Sequence, residues 1–455
     1  MASTKKPLLV LTCTPGAGHI NPIKTLAKAL VLDGYEVTAV SSSHYQSTFE
    51  ELGCNYVAVQ GYGDYWDEER DTKWPERAKI PPGPEQFSYT MEHSFIRVIP
   101  DQFSAVQKAI RSLKEEQPGR PVVLLNESGV LGALPIMKGA GDARPEGVIN
   151  VGVLLVSLNS VDTAPFGPGL PPPTTPEEVA QYSEMRKHIN ILLWKKPLEI
   201  CKEILEGLGA KVPEDEELSS DVVYTWPDRF LQLCPPSTQY PRSDAPKTFG
   251  FTGGLPRLPK NPKSDVAEKP SWWAEVIDNP DHKDIVLVSQ GTVELNYENL
   301  ILPTLEALKD RPNTLVIVVL GIRGATLDPS VSIPENARIV DYFPFDDILP
   351  HCSVFVHNGG YGGVQHSLSH GIPLVVAGET EDKPEMCAIA AWAGTAVNLK
   401  TGRPTIEALR AAVDEIIADP RYKKACQRIQ AEIASFDPLR VVTDTIDEVV
   451  AQSKA

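Results

Sequence analysis

No stretch of the chain reaches the roughly 18 consecutive apolar residues that a bilayer-crossing helix needs, so a membrane-held protein is not expected. The first apolar run follows Lys5 and Lys6 and stops after about six residues at Thr14-Pro15-Gly16, too short for the core of a secretory leader. Cysteine is sparse and scattered: the seven, at 13, 54, 201, 234, 352, 387 and 426, form no CxxC or Cys/His cluster. Neither a disulfide framework nor a zinc site is indicated, and a reducing cytoplasm is the expected compartment. Positive charge is short as well, with 43 Lys and Arg against 60 Asp and Glu and a formal net charge of −17. That surplus repels phosphate backbones and anionic lipid, so neither nucleic acid nor a membrane is an expected partner. An anionic ligand then needs a local device to hold it.

What is present is the composition of a soluble globular chain. Hydrophobic residues make up 42% and charged residues 23%, which argues against wholesale disorder, and 455 residues suit two domains. Leu8–Thr12 is a continuous apolar run, as in a parallel strand covered on both faces. A glycine turn follows, then a helix with Pro22 at its first position and apolar residues at Ile23, Leu26, Ala27 and Leu30, closed by Gly34. Tyr35–Val40 is the next strand, completing a βαβ unit. Residues 63–105 lack periodicity and read as a long loop with short helices. Val122–Leu125 and Val151–Leu158 are further strands, Ala164–Pro176 is a Pro-rich surface loop, and residues 177–210 have helical spacing. After a strand at Phe230–Cys234, a Pro-rich stretch to about Pro270 marks a domain boundary.

A second strand–turn–helix series then begins. Its strands are expected at Ile285–Ser289, Thr314–Leu320, Arg338–Val340, Val354–His357 and Pro373–Ala377. Its helices are expected at Asn299–Lys309, Gly363–His370, 405–418 and 420–434, with a last amphipathic one at Leu439–Ala451. The fold class is α/β: two doubly wound halves without internal repeat, divided as 1–253, a linker at 254–272, 273–435, and a terminal segment 436–455.

The first turn, TPGAGHINP, sits where a dinucleotide fold keeps its phosphate loop. The third glycine of that motif is replaced by Asn21, and no carboxylate ends the second strand, so a dehydrogenase reading fails. The turn does place His19 at the carboxyl edge of a parallel sheet, where an imidazole can act as general base. Glu127, just beyond Val122–Leu125, is the candidate carboxylate to orient it. Helix capping and an ordinary loop acid are the structural alternatives for these two residues.

The second turn, VFVHNGGYGGVQHSLSHGIPLVV, is more informative. Gly359, Gly360, Gly362 and Gly363 follow a strand end at His357 and open a helix. Free amides and the helix dipole make an anion site there without net positive charge. No Lys-Ser/Thr follows, so it is not a Walker loop. Gly291 and Thr292 supply a second phosphate-facing turn after Ile285–Ser289. His366 and His370 stand at i, i+4 with no third metal ligand at useful spacing, and no metal is expected.

These pieces resemble the family-1 glycosyltransferases of the GT-B fold, which move sugars from UDP-sugars to small molecules. PGAGHINP, VSQGT, DYFPFDDILPHCSVFVHNGGYGGVQ, HGIPLVV and ETEDKPE occur in the family's order across nearly the whole chain, with about 341–383 the specific part. The resemblance implies two Rossmann-like domains facing a cleft, the first binding acceptor and the second donor, with the terminal helix crossing back to the first. It implies that His19 is the base and Glu127 its partner. Tyr342 would lie against uracil, with the Phe343 backbone bonded to it. Thr292, His357, Gly360 and Gly362 would contact the diphosphate, with Gly291, Gly359 and Tyr361 also among the donor-binding residues; Gln365 would reach the ribose, and Asp382 and Lys383 would face the sugar. A hexose, by default glucose, would pass with inversion to a hydroxyl of a small apolar acceptor such as a phenolic, sterol or polyketide. The enzyme would work as a cytoplasmic monomer without a cofactor.

Several residues depart from the family pattern. Glu127 stands where Asp is usual, Tyr342 for Trp, Phe345 for Gln, Gln365 for Glu and Lys383 for Gln. An amide at 365 offers one acceptor and two donors where a carboxylate accepts twice, which leaves UDP and TDP both open. Trp66, Phe87, Phe95 and Trp194 lie in the regions expected to shape the acceptor pocket, although core packing suits the same residue types. The competing readings are a sugar-nucleotide epimerase of the same fold and a nucleotide-sugar-binding protein without catalysis, which would have no use for His19.

Overall fold

Among the described residues, thirteen strands, all paired in parallel, form two separate sheets. The structure is a computed structural model describing residues 5–81, 83–213, 218–259, 269–292 and 294–454. Residues 260–268 of the expected linker lie outside those described. The first sheet contains β1 (Leu8–Thr12), β2 (Glu36–Ser42), β3 (Asn55–Val59), β4 (Val122–Glu127), β5 (Gly147–Gly152), β6 (Arg229–Gln232) and β7 (Phe249–Phe251). Their spatial order is β3-β2-β1-β4-β5-β6-β7. The second contains β8 (Asp284–Ser289), β9 (Thr314–Val319), β10 (Ala337–Val340), β11 (Val354–His357), β12 (Leu374–Val376) and β13 (Ala396–Asn398), ordered β10-β9-β8-β11-β12-β13. Each order reverses once, between β1 and β4 and between β8 and β11. Ligands in open α/β sheets bind at such switch points, beyond the carboxyl ends of the strands. His19 and Glu127 follow or end the first pair; the Gly291 turn and His357 do so for the second.

Burial on both faces explains the continuous apolar strands. Leu9 and Leu11 pack on one face of the first sheet with Ile23, Leu26, Val442, Ile446 and Val449, whereas Leu8 and Val10 pack on the other with Val106 and Ile110. The terminal helix Pro438–Gln452 therefore contributes its apolar stripe to the core of the first sheet, and Glu448 pairs there with Arg229. Contacts of the reverse sense join the halves near the cleft. The Gly167 and Gly169 amides donate to Glu385 Oε1 at 2.7 and 2.9 Å, and Gln232 Nε2 donates to the Tyr361 hydroxyl at 3.2 Å. Among the described residues no helix is long and apolar enough to cross a membrane.

Four of the expected elements take other bounds or forms. The first helix runs Ala17–Leu32 and carries Pro22 inside it. Proline removes one intrahelical bond, to the Gly18 carbonyl, and Gly18 is exposed, so water can serve that oxygen. The strand expected at Val151–Leu158 is Gly147–Gly152. Beyond it Val153, Leu155, Val156 and Leu158 are buried, but the amides of Val156 and Ser157 bond the side chains of Gln239 and Tyr224 rather than a strand. Residues 177–210 form two helices, Pro176–Ile189 and Lys195–Gly207, joined by a π-helical turn at Asn190–Trp194. The expected loop 63–105 ends early, because the helix Ile99–Glu116 starts with Pro100 in its first turn.

Candidate active site

His19 is the third residue of the helix that leaves β1, and its side chain is 16% exposed. Glu127 ends the neighbouring strand β4 and is fully buried. His19 Nδ1 lies 3.2 Å from Glu127 Oε1. The separation is that of an ion pair, but Nδ1 has no hydrogen-bond partner; such bonds are often loose before substrate binds. Glu127 Oε1 accepts the Gly129 amide at 2.8 Å and Oε2 the Thr14 amide at 3.1 Å. Burial would raise the Glu127 pKa, yet His19 and these amides outweigh it, and the carboxyl is held below its ordinary value. Burial likewise opposes a charged His19. The Glu127 carboxylate overcomes that, with smaller help from Asp67 and Asp382, and the imidazole pKa lies above its ordinary value. Asp382 belongs to the second half, so the two halves approach closely enough for charge to act across the cleft.

A buried polar ladder supports the pair. Thr12 Oγ1 accepts the Glu127 amide at 3.0 Å and donates to Asn126 Oδ1 at 2.8 Å, and Asn126 Nδ2 donates to Asn150 Oδ1 at 3.0 Å. These three residues were not singled out from sequence. Polar residues inside apolar strand runs were the available signal.

At the second switch point His357 is buried at the end of β11. Its Nδ1 accepts the Gly359 amide at 3.1 Å, which places the proton of the neutral ring on Nε2. Burial, then Lys383 and His366, push its pKa down to about 3, so the ring is neutral and a hydrogen-bond donor at physiological pH. Gly359 has φ +79°, and a Cβ there would lie 2.3 Å from Cys387 Sγ, so glycine is required twice over. The helix Tyr361–Ser369 begins here, with first-turn amides that have no intrahelical acceptors. Asn358, not singled out from sequence, ties the two glycine turns by donating to the Gln290 carbonyl at 2.5 Å. Gly291 has φ +76°, and Thr292 beside it is exposed.

Around this turn the expected donor residues take different attitudes. Gln365 Nε2 is buried without a partner, an unmet donor beside the glycines. Tyr342 is 38% exposed, with the Arg323 guanidinium over its ring at 4.3 Å, so one ring face is already covered. The Phe343 ring is buried against Trp273 at 4.9 Å and has only its backbone left to offer. The Tyr361 hydroxyl is turned to Gln232 of the first half. Lys383 Nζ bonds Thr380 and Glu381 at 3.1 and 2.9 Å, while burial raises the Asp382 pKa above the ordinary value. Both His366 and His370 sit 3.0 Å from Asp346 Oδ1. Among the described residues no three His, Cys, Asp or Glu side chains are grouped to hold a metal ion.

Of the aromatic residues expected to shape the acceptor pocket, Phe87 and Trp194 meet edge to face at 5.5 Å. Trp66 stacks on His44 at 4.7 Å, and Phe95 is half-buried. A further aromatic group was not anticipated: Trp74 packs on Tyr65 at 4.8 Å and Tyr62 at 5.6 Å, and the Tyr62 hydroxyl meets His93 Nδ1 at 2.7 Å.

Comparison with known proteins adds independent findings. A family model described as the C-terminal domain of erythromycin biosynthesis protein CIII-like proteins matches residues 313–448. UDP-glucosyltransferase A1 of Starmerella bombicola is 39% identical over 449 residues, covering 99% of this chain and 94% of that protein. UDP-glucosyltransferase B1 of the same organism is 37% identical over 448 residues, covering 98% and 99%. Among solved structures, the glycosyltransferase of kitacinnamycin aligns with a TM-score of 0.69 at 19% identity, covering 98% of this chain and 99% of that one.

Proposed function

This chain belongs to the family-1 UDP-glycosyltransferases, with the two-sheet GT-B fold, and on that premise we propose that it transfers glucose from UDP-glucose to a hydroxyl of a small apolar acceptor, with His19 as general base. Glucose is supported by the names of the two Starmerella bombicola relatives. The mechanism rests chiefly on one observation: a His–carboxylate pair ends one sheet, and a neutral histidine with a glycine-rich helix start ends the other.

In this reading the acceptor O–H proton passes to His19 Nε2, as the acceptor oxygen bonds to the anomeric carbon. The bond from that carbon to the β-phosphate oxygen breaks, and UDP carries away the electron pair. Glu127 steadies the imidazolium as it forms. The His357 Nε2–H and the amides after Gly360 meet the growing phosphate charge, so the step needs no metal. Attack opposite the leaving group inverts the anomeric centre, and its oxocarbenium-like transition state is that of glycoside chemistry. Phe87 and Trp194 favour a flat, apolar acceptor. A monomer completes the proposal, since the cleft lies between halves of one chain, and seven buried cysteines without a disulfide suit a reducing cytoplasm.

The test is UDP release from UDP-glucose with a panel of phenols, sterols and hydroxylated polyketides, with products read by mass. A hexose gain on an acceptor supports the reading. No acceptor-dependent product with any UDP- or TDP-hexose overturns it. Gln365 offers a test of the donor. Its unmet Nε2 suits an acceptor atom on the ribose, and Gln365→Glu is expected to raise the preference for UDP- over TDP-glucose about tenfold in kcat/KM, because a carboxylate accepts from both ribose hydroxyls and TDP lacks one. An unchanged ratio places the ribose elsewhere.

A further inference from the structure

The helix that carries His19 starts at Gly16, which has no side chain to cap it. The cap comes instead from 50 residues further along: Asp67 Oδ2 accepts the Ala17 amide at 2.8 Å. This helix start is therefore occupied by a protein carboxylate, in contrast to the helix start after His357. Asp67 lies tightly over the turn, since a Cβ on Gly16 would come within 3.1 Å of its Oδ1.

The segment bearing Asp67 is anchored on both sides. Asp64 accepts the Ser43 amide at 2.8 Å and the Ser43 hydroxyl at 2.7 Å. The Tyr65 hydroxyl donates to the Ser94 carbonyl at 2.7 Å, and Trp66 stacks on His44 with ring planes 13° apart. The carboxylate is thus held where the fold puts it. Three carboxylates act on His19, from three different elements: Glu127 from β4, Asp67 from this segment, and Asp382 from the second half.

We propose that Asp67 is a positioning residue for the catalytic base, pinning the first turn of the helix that carries His19 and adding a second negative charge, beside Glu127, to the imidazolium formed when the acceptor loses its proton. The inference rests on the assignment of His19 as base. A serine or asparagine cap would satisfy the same amide without the charge. An aspartate does both, and it joins the geometry of the base to the seating of the segment Asp64–Asp67.

The experiment compares the full chain with Asp67→Asn, Asp67→Glu and His19→Ala. In each unliganded protein the imidazole Cε1–H titration of His19 is followed by NMR, the resonance being assigned by its loss in His19→Ala. Asparagine keeps an oxygen for the Ala17 amide, so Asp67→Asn is expected to melt near wild type, while its His19 midpoint moves to lower pH. The acid limb of kcat/KM moves with it, and transfer above the limb falls about three- to tenfold, a fraction of what a general base contributes. Asp67→Glu restores the charge and is expected to bring the midpoint back up. A purely structural cap would leave the midpoint in place. A titration unmoved in Asp67→Asn, with His19→Ala inactive, overturns this proposal alone. A His19→Ala enzyme that transfers normally overturns the base assignment and the proposal together. If Asp67→Asn does not fold, Asp67→Ser, which also offers a capping oxygen without the charge, takes its place, and an unmoved midpoint there counts equally against the role.

Discussion

Replacement of His19 by alanine is expected to lower acceptor glycosylation by at least about 10²-fold, roughly 2.7 kcal/mol of transition-state stabilisation, with KM for UDP-glucose little changed. If the donor is held at the other switch point, by groups around His357, removing the base leaves that site intact. A variant that glycosylates at a near-normal rate refutes the general-base assignment. Acceptor acidity sharpens the test. An acidic phenol, already partly ionised, is expected to lose less in His19→Ala than an aliphatic alcohol, because less of its reaction depends on proton removal.

The pH profile carries the same argument with a definite sign. His19 works as a base only when neutral, and the Glu127 carboxylate holds its pKa above the ordinary imidazole value. The acid limb of kcat/KM for the free enzyme is therefore expected above that value, with activity lost as pH falls through it. Glu127 remains ionised across the limb, because its own pKa is held down by His19 and the Thr14 and Gly129 amides. Glu127→Gln removes the strongest of the charges acting on His19, and the limb should shift to lower pH while the plateau falls. An unmoved limb means that His19 is not the titrating group.

The parts of this site readable from sequence are those that end a strand. His19 follows β1 by a short turn, Glu127 ends β4 and His357 ends β11, so an apolar run and its boundary were enough to place each at a sheet edge. What stayed hidden depends on contacts between distant segments. Asp67 looks like one acid among Asp67, Glu68 and Glu69 until the fold sets it over Gly16. The Asn358–Gln290 bond and the Arg323–Tyr342 stack join turns after different strands, and no local spacing encodes them. The missed strands have a similar cause. Phe249–Phe251 and Ala396–Asn398 are three residues each, too short to show a period, and in Asn55–Val59 only Val59 is buried. Conversely, Val153–Leu158 is apolar enough to imitate a strand, but its backbone is satisfied by side chains.

Two adjacent glycines at the start of the helix Tyr361–Ser369 should behave in opposite ways when given a methyl group. At Gly362 a Cβ meets nothing within 4 Å. Alanine there costs no packing and improves helix propensity by up to about 1 kcal/mol, so the melting temperature of Gly362→Ala should hold or rise. Its effect belongs to the ligand: if the diphosphate approaches these amides, the methyl group stands in its way, and KM for UDP-glucose should rise at least about tenfold, or 1.4 kcal/mol. At Gly363 a Cβ lies 2.4 Å from His357 Cε1 and Nε2. That ring is buried, and its Nδ1 is held by the Gly359 amide, so it cannot withdraw without giving up that bond. Gly363→Ala should lose about 1–3 kcal/mol of stability by overpacking and lose kcat/KM as well, because the Nε2–H no longer points where the phosphate charge develops. Melting curves with donor KM for the pair separate the two roles. A wild-type KM in Gly362→Ala removes the diphosphate from this turn, and the neutrality of His357 would then need another explanation than donation to a phosphate oxygen.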